Sequence, residues 1–162
     1  MYRAGHYGAA LVVYAPVGGA ALATGFETAA VAGGALTLAL APVPDYDQRV
    51  PLISHRGSTH TVGFALLVGL LTGALGFVVG AETGLADAAA AGAFGLVVGA
   101  LAIGSHLLAD VVTPMGIAPF WPLSSRNYTL ALARADNTVA NYLLLGLGVA
   151  VTVATALIAS GR

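Results

Sequence analysis

The chain has 162 residues, 58% of them hydrophobic and only 8% charged, whereas about a quarter of the residues in an average soluble domain carry charge. A formal net charge of −1, with no basic stripe interleaved with aromatics, argues against nucleic-acid binding, and the absence of cysteine excludes disulfides and thiolate metal sites. The composition fits an all-α polytopic membrane protein, a helical bundle read as one membrane-embedded domain over residues 1–162.

Five apolar runs follow in chain order: Gly8–Thr24, Thr28–Val43, Thr61–Gly80, Asp87–Val112 and Thr138–Ser160. The last three meet the length of about 20 residues that a spanning helix needs, and the first two are marginal. The second, about 16 residues before Pro44, reaches only about 24 Å, so its end is expected to be drawn into the membrane. The first run has one arginine ahead of it and a tolerable cleavage site at "ALATG", the marks of a cleaved signal peptide, but Pro16 and the Gly18–Gly19 pair interrupt its core.

Five crossings place the N-terminus, residues 44–60 and residues 113–137 on one face of the membrane. Arg3, Arg49, Arg56, Arg126 and Arg134 fall on that face and only Arg162 on the other, so the positive-inside rule predicts that it is cytoplasmic. Three G-x-x-x-G pairs, Gly69/Gly73, Gly76/Gly80 and Gly95/Gly99, allow close helix approach in lipid. They are read as packing within a tight bundle, with a homo-oligomer as the alternative.

The residues able to do chemistry map to the same face. His6 opens the first span; Asp45 and Asp47, in "PDYDQR", follow the second; His55 and His60, in "HRGSTHT", precede the third; His106 and Asp110, in "GSHLLAD", close the fourth. His106 and Asp110 lie four apart, on one side of a helix, and a carboxylate inside a span needs a partner. Pro42 and Pro44 are expected to stop the helix before Asp45 and Asp47, which in extended geometry would point the same way. Ser58 or Thr59 is expected to cap the third helix, with Gly57 turning the chain. Residues 113–123, "TPMGIAPFWPL", carry too many prolines for helix, and Phe120 and Trp121 suit an interfacial aromatic belt.

Four histidines and three aspartates from four segments thus converge on one membrane face of a chain otherwise poor in polar groups. A nitrogen and oxygen donor set without sulfur suits zinc, and also manganese or iron(II). Seven donors are enough for two or three ions, and Arg56 and Arg126 are placed to hold a phosphate by paired hydrogen bonds.

At these residues the chain resembles the YdjM-like family of inner-membrane proteins classed as metal-dependent hydrolases. The matching pieces are "GHYGAAL", "PDYDQR", "HRGSTHT" and "GSHLLADVVTPMGIAPFWPLS", in order, from about His6 to Ser124. That family is distantly similar to the zinc-dependent phospholipase C and single-strand nuclease superfamily, whose helices carry His and Asp ligands around a zinc cluster. The resemblance implies metal-ligand roles for His6, Asp45, His60, His106 and Asp110, with Asp47 and His55 as further ligands or as the partners that orient them. Because His6 matches the motif, cleavage would discard a ligand, and the first span is kept. The zinc enzymes use a further His-x-x-x-Glu pair late in the fold. Here "RADNTVANY" offers Asp136, Asn137 and Asn141 instead.

The expected function is therefore hydrolysis of a phosphoester by metal-activated water in the cytoplasmic membrane. The expected substrate is a lipid or lipid-linked phosphate, and Asp47, His55 and Arg56 are the candidate catalytic residues beside the metal ligands. Two other classes compete. A metal or proton transporter requires polar residues continuing through the spans toward the second face, where the sequence supplies almost none beyond Thr24, Thr37 and Thr72. A non-catalytic membrane adaptor requires only that a metal fasten the helix ends.

Overall fold

The computed structural model describes residues 1–51 and 54–161; Arg162, the single arginine expected on the second face, lies outside them. Five helices form the bundle: α1 Arg3–Ala23, α2 Glu27–Leu40, α3 Val62–Gly80, α4 Leu85–Val111 and α5 Thr138–Ala159. A 3-10 segment, Val43–Arg49, extends α2, and a single 3-10 turn, Ser58–His60, leads into α3. With that extension the second hydrophobic stretch runs Glu27–Arg49, so all five are long and apolar enough to cross a membrane. The first helix begins five residues earlier than its apolar run, which puts His6 inside helix rather than ahead of it.

Two helix pairs build the bundle, and small residues set both. Between α3 and α4 all three G-x-x-x-G pairs face inward. A Cβ on Gly80 would stand 2.5 Å from the Asp87 carbonyl oxygen, one on Gly69 2.9 Å from that of Leu96, and one on Gly99 2.9 Å from that of Val68. Thr72 uses the closeness by donating to the Gly95 carbonyl across the interface at 2.7 Å. Between α1 and α5, Gly148 sits against the Gly8 backbone in the same way. Helix α2 closes the bundle against α1 and α4, with the Tyr14 hydroxyl donating to the Ala30 carbonyl at 2.6 Å. Outward faces of α3 and α5 carry exposed Leu66, Leu70, Leu71, Leu143, Leu147 and Val153, the surface expected toward lipid.

Three local expectations are corrected. "PDYDQR" is not extended: the prolines sit at the start of the 3-10 segment, where a missing N–H costs nothing. With about three residues per turn, Asp45 and Asp47 therefore point to different sides. Helix α3 is capped by Thr61, whose hydroxyl accepts from Phe64 N at 3.1 Å, rather than by Ser58 or Thr59. The chain turns at Arg56, in the left-handed region at φ 60°, while Gly57 has φ −85°.

The loop after α4 lies on the bundle end as the prolines require. Ile117 pairs with Tyr128 in an isolated bridge and packs with Ala65, Val68, Ile103 and Leu107, and the Pro119 carbonyl accepts from Val62 N at 2.8 Å. Phe120 and Trp121 remain about half exposed at this end, where an aromatic belt would place them.

Candidate metal centre

The helix ends bring six of the seven predicted residues into one buried cluster, with His55 at its edge. His106 and Asp110 come from the last turns of α4, His6 from the second turn of α1, Asp45 and Asp47 from the 3-10 segment, and His60 from the turn before α3. His6, His60, His106 and Asp110 are each no more than 1% exposed.

Four atoms form a cage. His60 Nε2 lies 3.2 Å from His106 Nε2, and each of these nitrogens is 3.6 Å from Asp45 Oδ1 and 3.5 Å from Asp110 Oδ2. A tetrahedral site with arms of about 2.0–2.1 Å has edges of about 3.3–3.4 Å, so the spacing fits a zinc-sized ion at the centre.

Tautomers sharpen the fit. His106 Nδ1–H donates to the Ala41 carbonyl at 2.8 Å, a carbonyl left free where α2 gives way to the prolines, so its Nε2 lone pair faces the cage. Behind His60, Thr59 Oγ1 lies 3.0 Å from Nδ1 and donates to Asp47 Oδ2 at 2.8 Å; its oxygen accepts the Nδ1 proton, and the Nε2 lone pair again faces inward. Two lone pairs and two carboxylate oxygens then converge on one point, and Asp110 Oδ2 has no hydrogen-bond donor. A cation resolves that arrangement; without one, a proton must. Burial opposes a charge on His60, but the Asp110 and Asp45 carboxylates facing its Nε2, with the Asp47 charge nearby, favour the protonated ring and raise the His60 pKa above the ordinary histidine value.

A second position adjoins the first. His6 stacks on His106, rings 3.7 Å apart and 3° from parallel, and its Nε2 is 3.7 Å from both Asp45 Oδ2 and Asp110 Oδ1. Each aspartate thus offers one oxygen to the His60/His106 pair and the other toward His6, whose two ring nitrogens are buried without a hydrogen bond. Asp110 Oδ1 is shared further: it accepts from the Met1 amine at 2.5 Å and from Arg56 Nη2 at 2.9 Å.

A family model described as YdjM inner membrane protein matches residues 1–161. The chain belongs to the YdjM inner membrane protein family. No curated protein and no solved structure matches it. Family membership and five apolar helices together make this an integral inner-membrane protein, and its His/Asp cluster can hold a metal ion.

Around the cage the remaining candidates take distinct places. Asp47 faces away from it and accepts three hydrogen bonds: Oδ1 from His55 Nδ1 at 2.9 Å, and Oδ2 from Arg56 N at 3.1 Å and from Thr59. With His55 and His60 it could outline another ligand group, but that group would need the His60 nitrogen already turned toward Asp47 and Thr59. Arg56 ties three segments together, donating from Nη1 to Thr113 Oγ1 and the Gly116 carbonyl and from Nη2 to Asp110. Arg126 lies apart, its guanidinium 5.2 Å from the centre of the Tyr128 ring.

The late segment supplies no donor to the cage. Asp136 pairs with Arg134 at the surface and Asn137 caps α5 by accepting from Ala140 N. Buried Asn141 accepts from Tyr2 N at 3.0 Å and donates to the Ala135 and Asn137 carbonyls, which fastens the start of α1, and so His6, to α5.

Above the cage opens a cavity of about 730 Å³, walled in part by Asp45, His55, Arg56, Arg3 and Arg49. In the sequence Arg3 and Arg49 read only as markers of orientation. Their spacing carries the missed signal: Arg3 is one helical turn before His6, and Arg49 one turn after Asp45.

Proposed function

We propose that this protein is a membrane-embedded, metal-dependent hydrolase of phosphoesters, acting on a lipid or lipid-linked substrate at the cytoplasmic face of the inner membrane. The observation that carries the reading is the four-atom cage with an orphaned carboxylate oxygen, reached from a cavity through Asp45, the one cage residue that lines it. The arginine distribution supports the orientation.

His60, His106, Asp45 and Asp110 would hold the first ion, and His6 with the outer oxygens of the two aspartates a second. Zinc fits the donors best, with manganese or iron(II) as alternatives. A bound divalent cation supplies Lewis acidity and an activated water. The chain's own residues do the rest. Asp47 accepts the Nδ1 proton of His55, which leaves His55 Nε2 as a base on the cavity wall; that role falls to His55 because Asp47 is buried behind it and does not line the cavity. Arg56 holds Asp110 and the loop after α4 in place, and its engaged guanidinium makes it a positioning residue.

The test is hydrolysis of phospholipids and soluble phosphodiesters by metal-loaded protein in detergent. Activity that chelation removes and that His55→Ala lowers about 100-fold or more is the expected result. A second reading, a non-catalytic adaptor, draws on the same cage, since four protein donors around one ion also describe a closed structural zinc site. Retained metal with no turnover and no exchange of the ion with solvent metal would favour it.

A further inference from the structure

Arg3 and Arg49 both line the cavity above the cage, and neither forms an ion pair among the described residues, whereas Arg56 is bound to Asp110. The Arg49 guanidinium sits over the Tyr46 ring, 5.4 Å from its centre, on the wall of the same cavity. Asp45 is the one acidic residue lining that cavity, and it belongs to the cage. The walls therefore carry two uncompensated cations about one helical turn from the ligands: Arg3 stands three residues before His6, and Arg49 four after Asp45.

A second hollow, about 400 Å³ and almost wholly apolar, is lined by Tyr7, Leu11, Leu38, Ala39 and Leu145. Its lining residues follow those of the first at helical spacing along α1. On α1, Arg3 lines the cavity while Tyr7 and Leu11, four and eight residues on, line the groove. At the end of α2, Leu38 and Ala39 line the groove, and Pro42, two residues past the helix, lines the cavity. A molecule occupying both would put a polar head at the cage and an apolar chain along α1, α2 and α5.

Resting on the hydrolase reading for the role of the cage, we infer that the ligand is a single-chain lipid with two adjacent anionic groups, a lipid diphosphate being the simplest. One group meets the cage, the next is held by Arg3 and Arg49, and the chain lies in the apolar groove. Two cations on the walls of one cavity fit a second phosphate better than a zwitterionic head, whose own cation they would repel.

Non-hydrolysable phosphonates test this on the full-length protein in detergent, with binding read by calorimetry in the presence and absence of zinc. A farnesyl bisphosphonate is expected to bind about tenfold or more tighter than a farnesyl monophosphonate, which lacks the second anion, and than methylenebisphosphonate, which lacks the chain. The Arg3→Gln, Arg49→Gln double variant should erase the first preference and keep its metal content. Ala39→Trp, which places a ring in the groove at an exposed position, should erase the second and leave methylenebisphosphonate binding unchanged. An undiminished first preference in the arginine variant would overturn the inference. Equal binding of methylenebisphosphonate and the farnesyl compound would also overturn it, in favour of a free diphosphate. If the preferences hold while no phosphoester is hydrolysed, it is the hydrolase reading that fails and the ligand assignment that stands.

Discussion

The two ends of this bundle are held together by opposite means. Away from the cage, α3 and α4 meet through glycines so close that backbone touches backbone, and the hydroxyls there, Thr37, Thr72 and Tyr14, all donate to main-chain carbonyls. At the cage end, side chains from α1, the 3-10 segment, the turn before α3 and α4 converge through charge, and several buried nitrogens and one oxygen have no hydrogen-bond partner. The apolar half is complete as packed; the polar half is not. Asp110 is paired through Oδ1 alone, and a buried oxygen without a donor is costly, so an arrangement that leaves Oδ2 bare implies something else to satisfy it. The same contrast weakens the transport alternative, because no charged residue continues from the cage along the interior of the described spans.

If the two ends are independent, they can be broken separately. Gly95→Leu drives a side chain into the Thr72 backbone and should cost about 3 kcal/mol, read as a lowered unfolding midpoint, while the protein that still folds keeps its metal. Asp47→Asn should do the reverse. It leaves the apolar half untouched and weakens metal binding about 10–100-fold through His60, without moving the unfolding midpoint of the metal-free protein by a comparable amount. An unchanged affinity would show that Asp47 does not orient His60.

Acidity should act on the cage end alone. Metal binding needs the His60 nitrogen free, and its carboxylate neighbours keep a proton on it to higher pH than usual, so the ion must displace that proton. Apparent metal affinity should therefore fall about tenfold per unit as pH drops below the raised His60 pKa, and level off above it. A flat profile across pH 6–8, in roughly the range where histidines titrate, would contradict the ligand role of His60. At the small end of the scale, Arg134→Ala breaks only the exposed pair with Asp136 and should change neither stability nor metal content measurably.

Much of this was legible from composition and spacing. Apolar runs located the helices because lipid demands uninterrupted apolar length, and the i, i+4 spacing of His106 and Asp110 put both side chains on one side of α4. What escaped depends on how the backbone bends. Prolines at the start of a 3-10 segment permit rather than block it, so Asp45 and Asp47 diverge to serve the cage and its support separately. Asn141 is a fastening for α1 that sequence could not distinguish from a ligand, because its partners are backbone atoms distant in the chain. Arg3 and Arg49 were hidden by a competing explanation, since positive-inside topology already accounts for arginines at this face.

Bound metal per chain is the most direct measurement. Protein purified in detergent should carry at least about one zinc or manganese ion per chain by elemental mass spectrometry, and the His106→Ala, Asp110→Ala double variant should carry none. Wild-type protein that holds no metal even after reconstitution, or a folded double variant that retains it, would contradict the assignment of this cluster as a metal centre.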